Sequence, residues 1–294
     1  MKKKIKIILG FLVLIITIAA FVRYATTHPE LFRTLGDTNP AILGVLAVLY
    51  AVWFLALVFI LRISLRLYGK AMSKQENLLL NAYSSLVNFF GPGQSGPAFR
   101  GIYLKKRHGL HLKNYLFATL LYYGFYAVLS AFLLFVGSRP WWQTALLMAG
   151  AGAGSIAVIY WYGKKSQIKD EPGINLINLS WLFAATALQM AAQVAIYYVE
   201  LQSVDSVSFA QVLTYTGAAN FALFAALTPG AIGIREAFLV FSQNLHHIGN
   251  ATIVAANVID RAVYLIFLGL LFVLVLSLHA KDKLQIGKTK PSAL

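Results

Sequence analysis

The residues best placed to do chemistry are charges standing inside apolar sequence. Arg235-Glu236 follows the break Thr228-Pro229-Gly230-Ala231-Ile232-Gly233-Ile234, and Asp260-Arg261 interrupts a later apolar run. Pro229 removes a backbone donor and disfavours helix at Thr228. Gly230 and Gly233 let the chain turn where other residues resist. A fresh helix start beyond the break presents unpaired N–H groups and a partial positive charge, which suits phosphate. Arg235 can hold such a group bidentately, as a lysine cannot. Adjacent charges on a helix face different ways. Asp260 and Arg261 therefore need separate partners: Arg235 or a nearby donor for Asp260, and Glu236 for Arg261. The plainer reading of these four charges is a structural pairing that holds the broken segment against the last span.

A second constellation lies at Gly91-Pro92-Gly93-Gln94-Ser95-Gly96-Pro97, followed by Arg100 and by Lys105-Lys106-Arg107. Arg100 either binds the same kind of anion or snorkels to the surface. Other patterns point to less. His246-His247 and His108 with His111 lack carboxylates at ligand spacing, so no metal site is expected. The alternating Ala149–Ser155 glycines (149–155) lack the Lys-Ser/Thr of a nucleotide loop and read as a small face for helix packing. Gln189, Gln193, Asn220 and Gln243 either join helices or line a cavity, and the tyrosines at 122, 123 and 126 read as packing. No catalytic triad, cofactor motif or phosphatase-like cluster is present, so the chain is not expected to be an enzyme and no cofactor is expected.

The surroundings of these residues are lipid. Of 294 residues 59% are hydrophobic and 12% charged, against about 25% charged in soluble domains. Mean hydropathy is +0.69. Cysteine is absent, which removes disulfides and thiol chemistry. The net charge of +15 gathers at the ends of apolar runs. It sets topology and meets anionic headgroups and implies no nucleic-acid partner.

Apolar runs at 7–22, 41–61, 115–136, 141–161, 179–199 and 252–278 give about six spans. Lys and Arg follow 41–61, flank 77–107, fill the polar loop at 163–178 and close the chain at 281–294. The segment 200–205 is acidic, lacks them, and reads as an outside loop. Both termini then lie in the cytoplasm. The run 77–90 is too short to span. With the Gly/Pro turn and a half-helix at 98–106 it forms a re-entrant hairpin from the cytoplasm, the alternative being a hairpin lying on the surface. The run 209–227, the Pro229 break and 237–245 form a second hairpin from outside. The expected fold is thus an all-α polytopic membrane protein. It is one domain over 1–280, with a basic cytoplasmic tail at 281–294. Halves at about 41–137 and 179–278 form an inverted repeat, whose paired interrupted segments point to a transporter's binding site.

Pro229-Gly230-Ala231-Ile232-Gly233-Ile234-Arg235-Glu236-Ala237 resembles the Pro-Gly-Gly-x-Gly-x-Arg-Glu-Ala signature of the lysylphosphatidylglycerol synthase transmembrane-region family, the flippase-like domain proteins. Asn88, Pro92-Gly93, Arg100 and Tyr103-Leu104-Lys105-Lys106-Arg107-His108-Gly109-Leu110 resemble its looser N-terminal signature. The resemblance covers about residues 5 to 280. Two departures concern the first hairpin. The family's acidic residue after the loop glycine is replaced by Gly96-Pro97, and its Glu-Arg in the third span by Tyr122-Tyr123. The resemblance implies a flippase-like domain without the aminoacyltransferase that follows it in bifunctional members. The expected function is binding an anionic phospholipid or polyprenyl-phosphate headgroup in the inner (plasma) membrane and moving it between leaflets. The headgroup residues would be Arg235, Glu236, Gly230, Gly233, Arg100, Asp260 and Arg261. The partners would be membrane lipids, with a homo-oligomer and a separate lipid-modifying enzyme left open. The rival readings are a membrane enzyme or enzyme subunit acting on lipid-linked phosphate, and a scaffold.

Overall fold

Pro40 starts the first of the described helices because its fixed φ suits a first turn and its missing N–H is not needed there. Asn39 caps it, accepting from the Ala41 nitrogen at 2.9 Å, and Arg66 ends it where a cation complements the helix dipole. This computed structural model describes residues 38–91, 95–136, 174–224 and 234–286, with isolated positions at 19, 23, 26, 36, 142, 145, 146, 149 and 150. The expected first and fourth spans and the polar loop between halves lie wholly or mostly outside these. So do the Gly230 and Gly233 turn and the Glu236 side chain.

Among the described residues nine helices follow one another. They are α1 (Pro40–Arg66), α2 (Lys74–Phe90), α3 (Ser95–His108), α4 (Leu112–Val136), α5 (Leu176–Val204), α6 (Phe209–Phe224), α7 (Ile234–Phe241), α8 (Gln243–His246) and α9 (Asn250–Ile286). Four are long and apolar enough to cross a membrane: α1, α4, α5 and the Asn250–Leu278 part of α9. Their outward residues are large and apolar, among them Phe59, Leu120, Trp181 and Leu270. The interior carries Gln189, Gln193, Asn220, Asn257 and Asp260. A lipid-facing exterior around a polar interior is the arrangement a bilayer imposes. The chain is an all-α polytopic membrane protein.

Several boundaries differ from expectation; α2, for one, starts at Lys74 rather than 77. α3 starts at Ser95 rather than 98. α9 runs on to Ile286, through the start of the expected tail. α5 continues to Val204, so most of the segment read as an outside loop is helix and Glu200 is buried within it.

The first hairpin packs into the bundle rather than lying on it. Ser73 caps α2 from the Glu76 nitrogen at 3.1 Å, with Glu76 three residues on, as in a capping box. At the tip, the Phe89 ring meets that of Tyr264, centroids 5.7 Å apart. Tyr264 is midway along the apolar stretch of α9, so the tip reaches the depth of that helix's centre. α3 returns tightly along α2. A Cβ on Gly96 would come within 2.6 Å of the Ser84 carbonyl, a gap only glycine leaves open. At the hairpin's base Glu76 accepts from the Tyr103 hydroxyl at 2.6 Å and pairs with His108 at 2.9 Å.

The packing repeats itself. The helices starting at Pro40, Lys74 and Leu112 recur at Leu176, Phe209 and Asn250, a shift of 135 to 138 residues. α1 packs on its counterpart α5. α2 packs on α9 as α6 packs on α4. The pairs α1–α2, α2–α3, α1–α4, α1–α9 and α3–α4 recur as α5–α6, α6–α7, α5–α9, α5–α4 and α7–α9. Exchange of the two triplets leaves this pattern unchanged.

Candidate functional site

Arg235 is the second residue of α7 and is 6% exposed. The packing of α7 on α9 turns the guanidinium toward α9. There Nη1 meets Asp260 Oδ2 at 2.7 Å and Nη2 donates to Asn257 Oδ1 at 2.6 Å. Its Cζ lies 5.4 Å from the centre of the Tyr197 ring, a cation–π distance. The expected pairing of Asp260 with Arg235 is therefore present. Asp260 also accepts from the Tyr50 hydroxyl on α1. Asn257 is fixed in turn by donating to the Ile253 carbonyl at 2.8 Å and the Tyr215 hydroxyl at 3.2 Å.

Arg261 is 8% exposed and lies within electrostatic reach of Asp260 and Glu200. Its expected partner Glu236 has no described side chain, and Gly230 and Gly233 lie outside the described residues. Those three assignments find no geometry here.

In the sequence Glu200 falls in the segment that reads as an outside loop. It is 1% exposed, and its carboxyl lies beside Asp260 and within reach of Arg235 and Arg261. Its signal was available in spacing: Gln189, Gln193, Tyr197 and Glu200 recur at i, i+4, i+8 and i+11, a polar stripe on one helix face. Tyr50 and Asn257 carried no comparable signal, because single polar residues in apolar runs are common.

The stripe on α5 joins the site to the first half of the chain. The Tyr126 hydroxyl bridges Gln193 Oε1 at 2.9 Å and Asn220 Oδ1 at 2.8 Å, and Gln193 donates to the Tyr197 hydroxyl at 3.2 Å. Tyr122 donates to Gln189 Oε1 at 3.0 Å. The tyrosines of α4, read as packing, are thus hydrogen-bonding partners too. Gln189, Gln193 and Asn220 join helices. Gln243 opens the short α8.

Arg100 on α3 takes the matching place in the first hairpin, at a shift of 135 residues from Arg235. It does not snorkel. Nη1 donates to Asn81 Oδ1 at 3.1 Å, and Asn81 in turn donates to Asn77 at 2.9 Å. The charge lies within reach of Tyr122 and Tyr123 on α4. These occupy the positions of Asp260 and Arg261, both pairs starting ten residues after their helix begins. Each hairpin therefore aims one arginine at the long helix after it. In the second half an acid meets that arginine; in the first half a phenol stands there.

The family model for the lysylphosphatidylglycerol synthase TM region matches residues 7–271. No curated protein matches the chain. The match covers nearly all of the sequence, including both hairpins and the charged stretch of α9, and with the helical architecture it settles the family: this chain is a member of the lysylphosphatidylglycerol synthase transmembrane-region family.

Proposed function

We propose that this protein is a lipid flippase of the inner membrane, with both termini in the cytoplasm. It binds the anionic headgroup of a phospholipid or polyprenyl phosphate at Arg235 and carries it between leaflets. The observation that carries this reading is the buried Arg235–Asp260 pair at the start of α7. An arginine taken out of water, at a helix start, with an acid that an anion can displace, is a site for a charged headgroup. Arg261, also buried, adds a second cation within reach of Asp260. Arg100 is a second station in the first hairpin. The family supports a membrane and lipid-related role.

The exchange symmetry of the packing supports an inverted repeat, with halves at about 41–137 and 179–278. Rocking one triplet against the other across the α1–α5 contact opens the site to each leaflet in turn, while acyl tails stay in lipid. The reading assigns transport rather than catalysis, with membrane lipids as partners.

Binding tests it directly. Purified protein is titrated with short-chain phosphatidylglycerol and phosphatidylcholine. Phosphatidylglycerol binds at least about tenfold more tightly, and Arg235→Lys removes most of that preference, ~1.4 kcal/mol. Equal binding of both lipids, unchanged by the substitution, contradicts the headgroup site. Release of a free headgroup during the titration supports an enzyme instead.

A further inference from the structure

The charges of the described side chains at the site balance while no ligand is bound. Among the described side chains two arginines, Arg235 and Arg261, meet two carboxyls, Glu200 and Asp260. With all four ionised the sum is zero. A phosphodiester brought to Arg235 leaves one negative charge in excess, where low dielectric makes an unbalanced charge costly. One proton restores neutrality.

Glu200 is placed to take it. Its carboxyl is 1% exposed, Oε1 has no hydrogen-bond donor among the described residues, and its neighbour is the carboxyl that pairs with Arg235. Two buried carboxyls side by side favour one shared proton. The groups facing Glu200 are Tyr50 from α1, Tyr215 from α6, Arg235 from α7, and Asp260 and Arg261 from α9, with Tyr197 on its own helix. Tyr264 of α9 faces Asp260 as well. The tyrosines and arginines among these ordinarily keep their charge state below about pH 9, which leaves the two carboxyls as the groups able to take up a proton. Asp205, exposed, caps the C-terminal end of α5 five residues beyond Glu200. It marks a short path to water.

The repeat sharpens the point. At the matching shifts the first half holds Ser64 for Glu200 and Tyr122 for Asp260. The acids belong to one half alone.

We propose that Glu200 and Asp260 form a proton-binding site whose loading frees Arg235 to take the headgroup, so that each anionic lipid travels with a proton. This rests on the headgroup reading of Arg235. The step is a proton transfer: water supplies H⁺, an O–H bond forms on a carboxylate oxygen, and the Arg235–Asp260 pair gives way to an Arg235–phosphate pair. Reversal on the other side returns the proton to water. Arg100, facing phenols, binds its anion without one.

Infrared difference spectroscopy on the full protein in lipid nanodiscs decides it. Between about pH 5 and 9 the wild type should show the carbonyl stretch of a protonated carboxyl, shifted in heavy water. Glu200→Gln should remove the band and Glu200→Asp should restore it. Short-chain phosphatidylglycerol added at neutral pH should raise the band, with uptake of about one proton per protein seen by a pH-indicator dye. No carboxyl band in the wild type at any of these pH values overturns the proton site, and the heavy-water shift makes that decision without any variant. A band that bound lipid leaves unchanged overturns the coupling. The band needs no transport. If lipid fails to bind while the band is present, the headgroup reading falls and the proton site stands.

Discussion

At the scale of single residues, Arg235 is held by one charge and by neutral neighbours. It spends two nitrogens on Asp260 and Asn257 and its face on Tyr197. Removing one member of a buried pair strands the other charge, which costs ~3–5 kcal/mol where the site is dry. Asp260→Ala is therefore expected to lower the thermal unfolding midpoint in detergent far more than Asn257→Ala, which removes a hydrogen bond to a charged group and costs ~1.5–3 kcal/mol. The double substitution Arg235→Gln with Asp260→Asn should recover much of the loss, because no charge is left unpaired. Equal losses in single and double variants would mean that the two residues do not act as a pair. The arginines and Asp260 were legible in the sequence because a charge inside an apolar run declares itself. Glu200 was not. It stands where an apolar run gives way to Gln202, Ser203 and Asp205, and only its helical spacing from Gln193 and Tyr197 ties it to the interior.

At the scale of elements, the hairpins hold their place by close approach and by polar clamps. A Cβ on Gly217 of α6 would come within 2.5 Å of the Leu134 nitrogen on α4. Backbone cannot yield cheaply there. Gly217→Val should cost ~1–3 kcal/mol, read as a lower unfolding midpoint, whereas Gly124→Ala, in open space, should leave it unchanged. At the base of the first hairpin, burial raises the Glu76 carboxyl, but the donors Tyr103 and His108 outweigh it and, with Arg107, hold it below the usual value. Tyr103 is pushed up to about 12 by burial and by that carboxylate. A depressed carboxylate stabilises the fold above its unfolded value near 4.5 and loses that contribution as pH falls through the lower folded value. Midpoints of the wild type should thus drop more steeply below about pH 4 than those of Glu76→Gln. Parallel curves would show that the clamp carries no weight. The first hairpin was legible because prolines and glycines punctuate a run too short to span. The ends of its helices were not, since polar residues such as Ser95 and Lys74 continue a helix once a cap and a neighbour support it.

At the scale of the whole molecule, two triplets of helices exchange with one another while keeping every pairing among their counterparts. Hydropathy and charge suggested that repeat, and the sequence holds traces of it at the residue level in Arg100 and Arg235 and in Tyr126 and Tyr264. Such sparse matches are lost among apolar residues that substitute freely for one another, so the symmetry emerges from packing. Its departures fall at the candidate site: one half meets its arginine with acids, the other with phenols. The central claim, that Arg235 carries a lipid headgroup across the membrane, is tested most directly in proteoliposomes. Fluorescent phosphatidylglycerol is distributed over both leaflets and quenched from outside. Wild type should expose the inner-leaflet fraction to the quencher. The folded double variant Arg235→Gln with Asp260→Asn should leave it protected, as in protein-free vesicles. Protection in both, or exposure in both, would contradict the account.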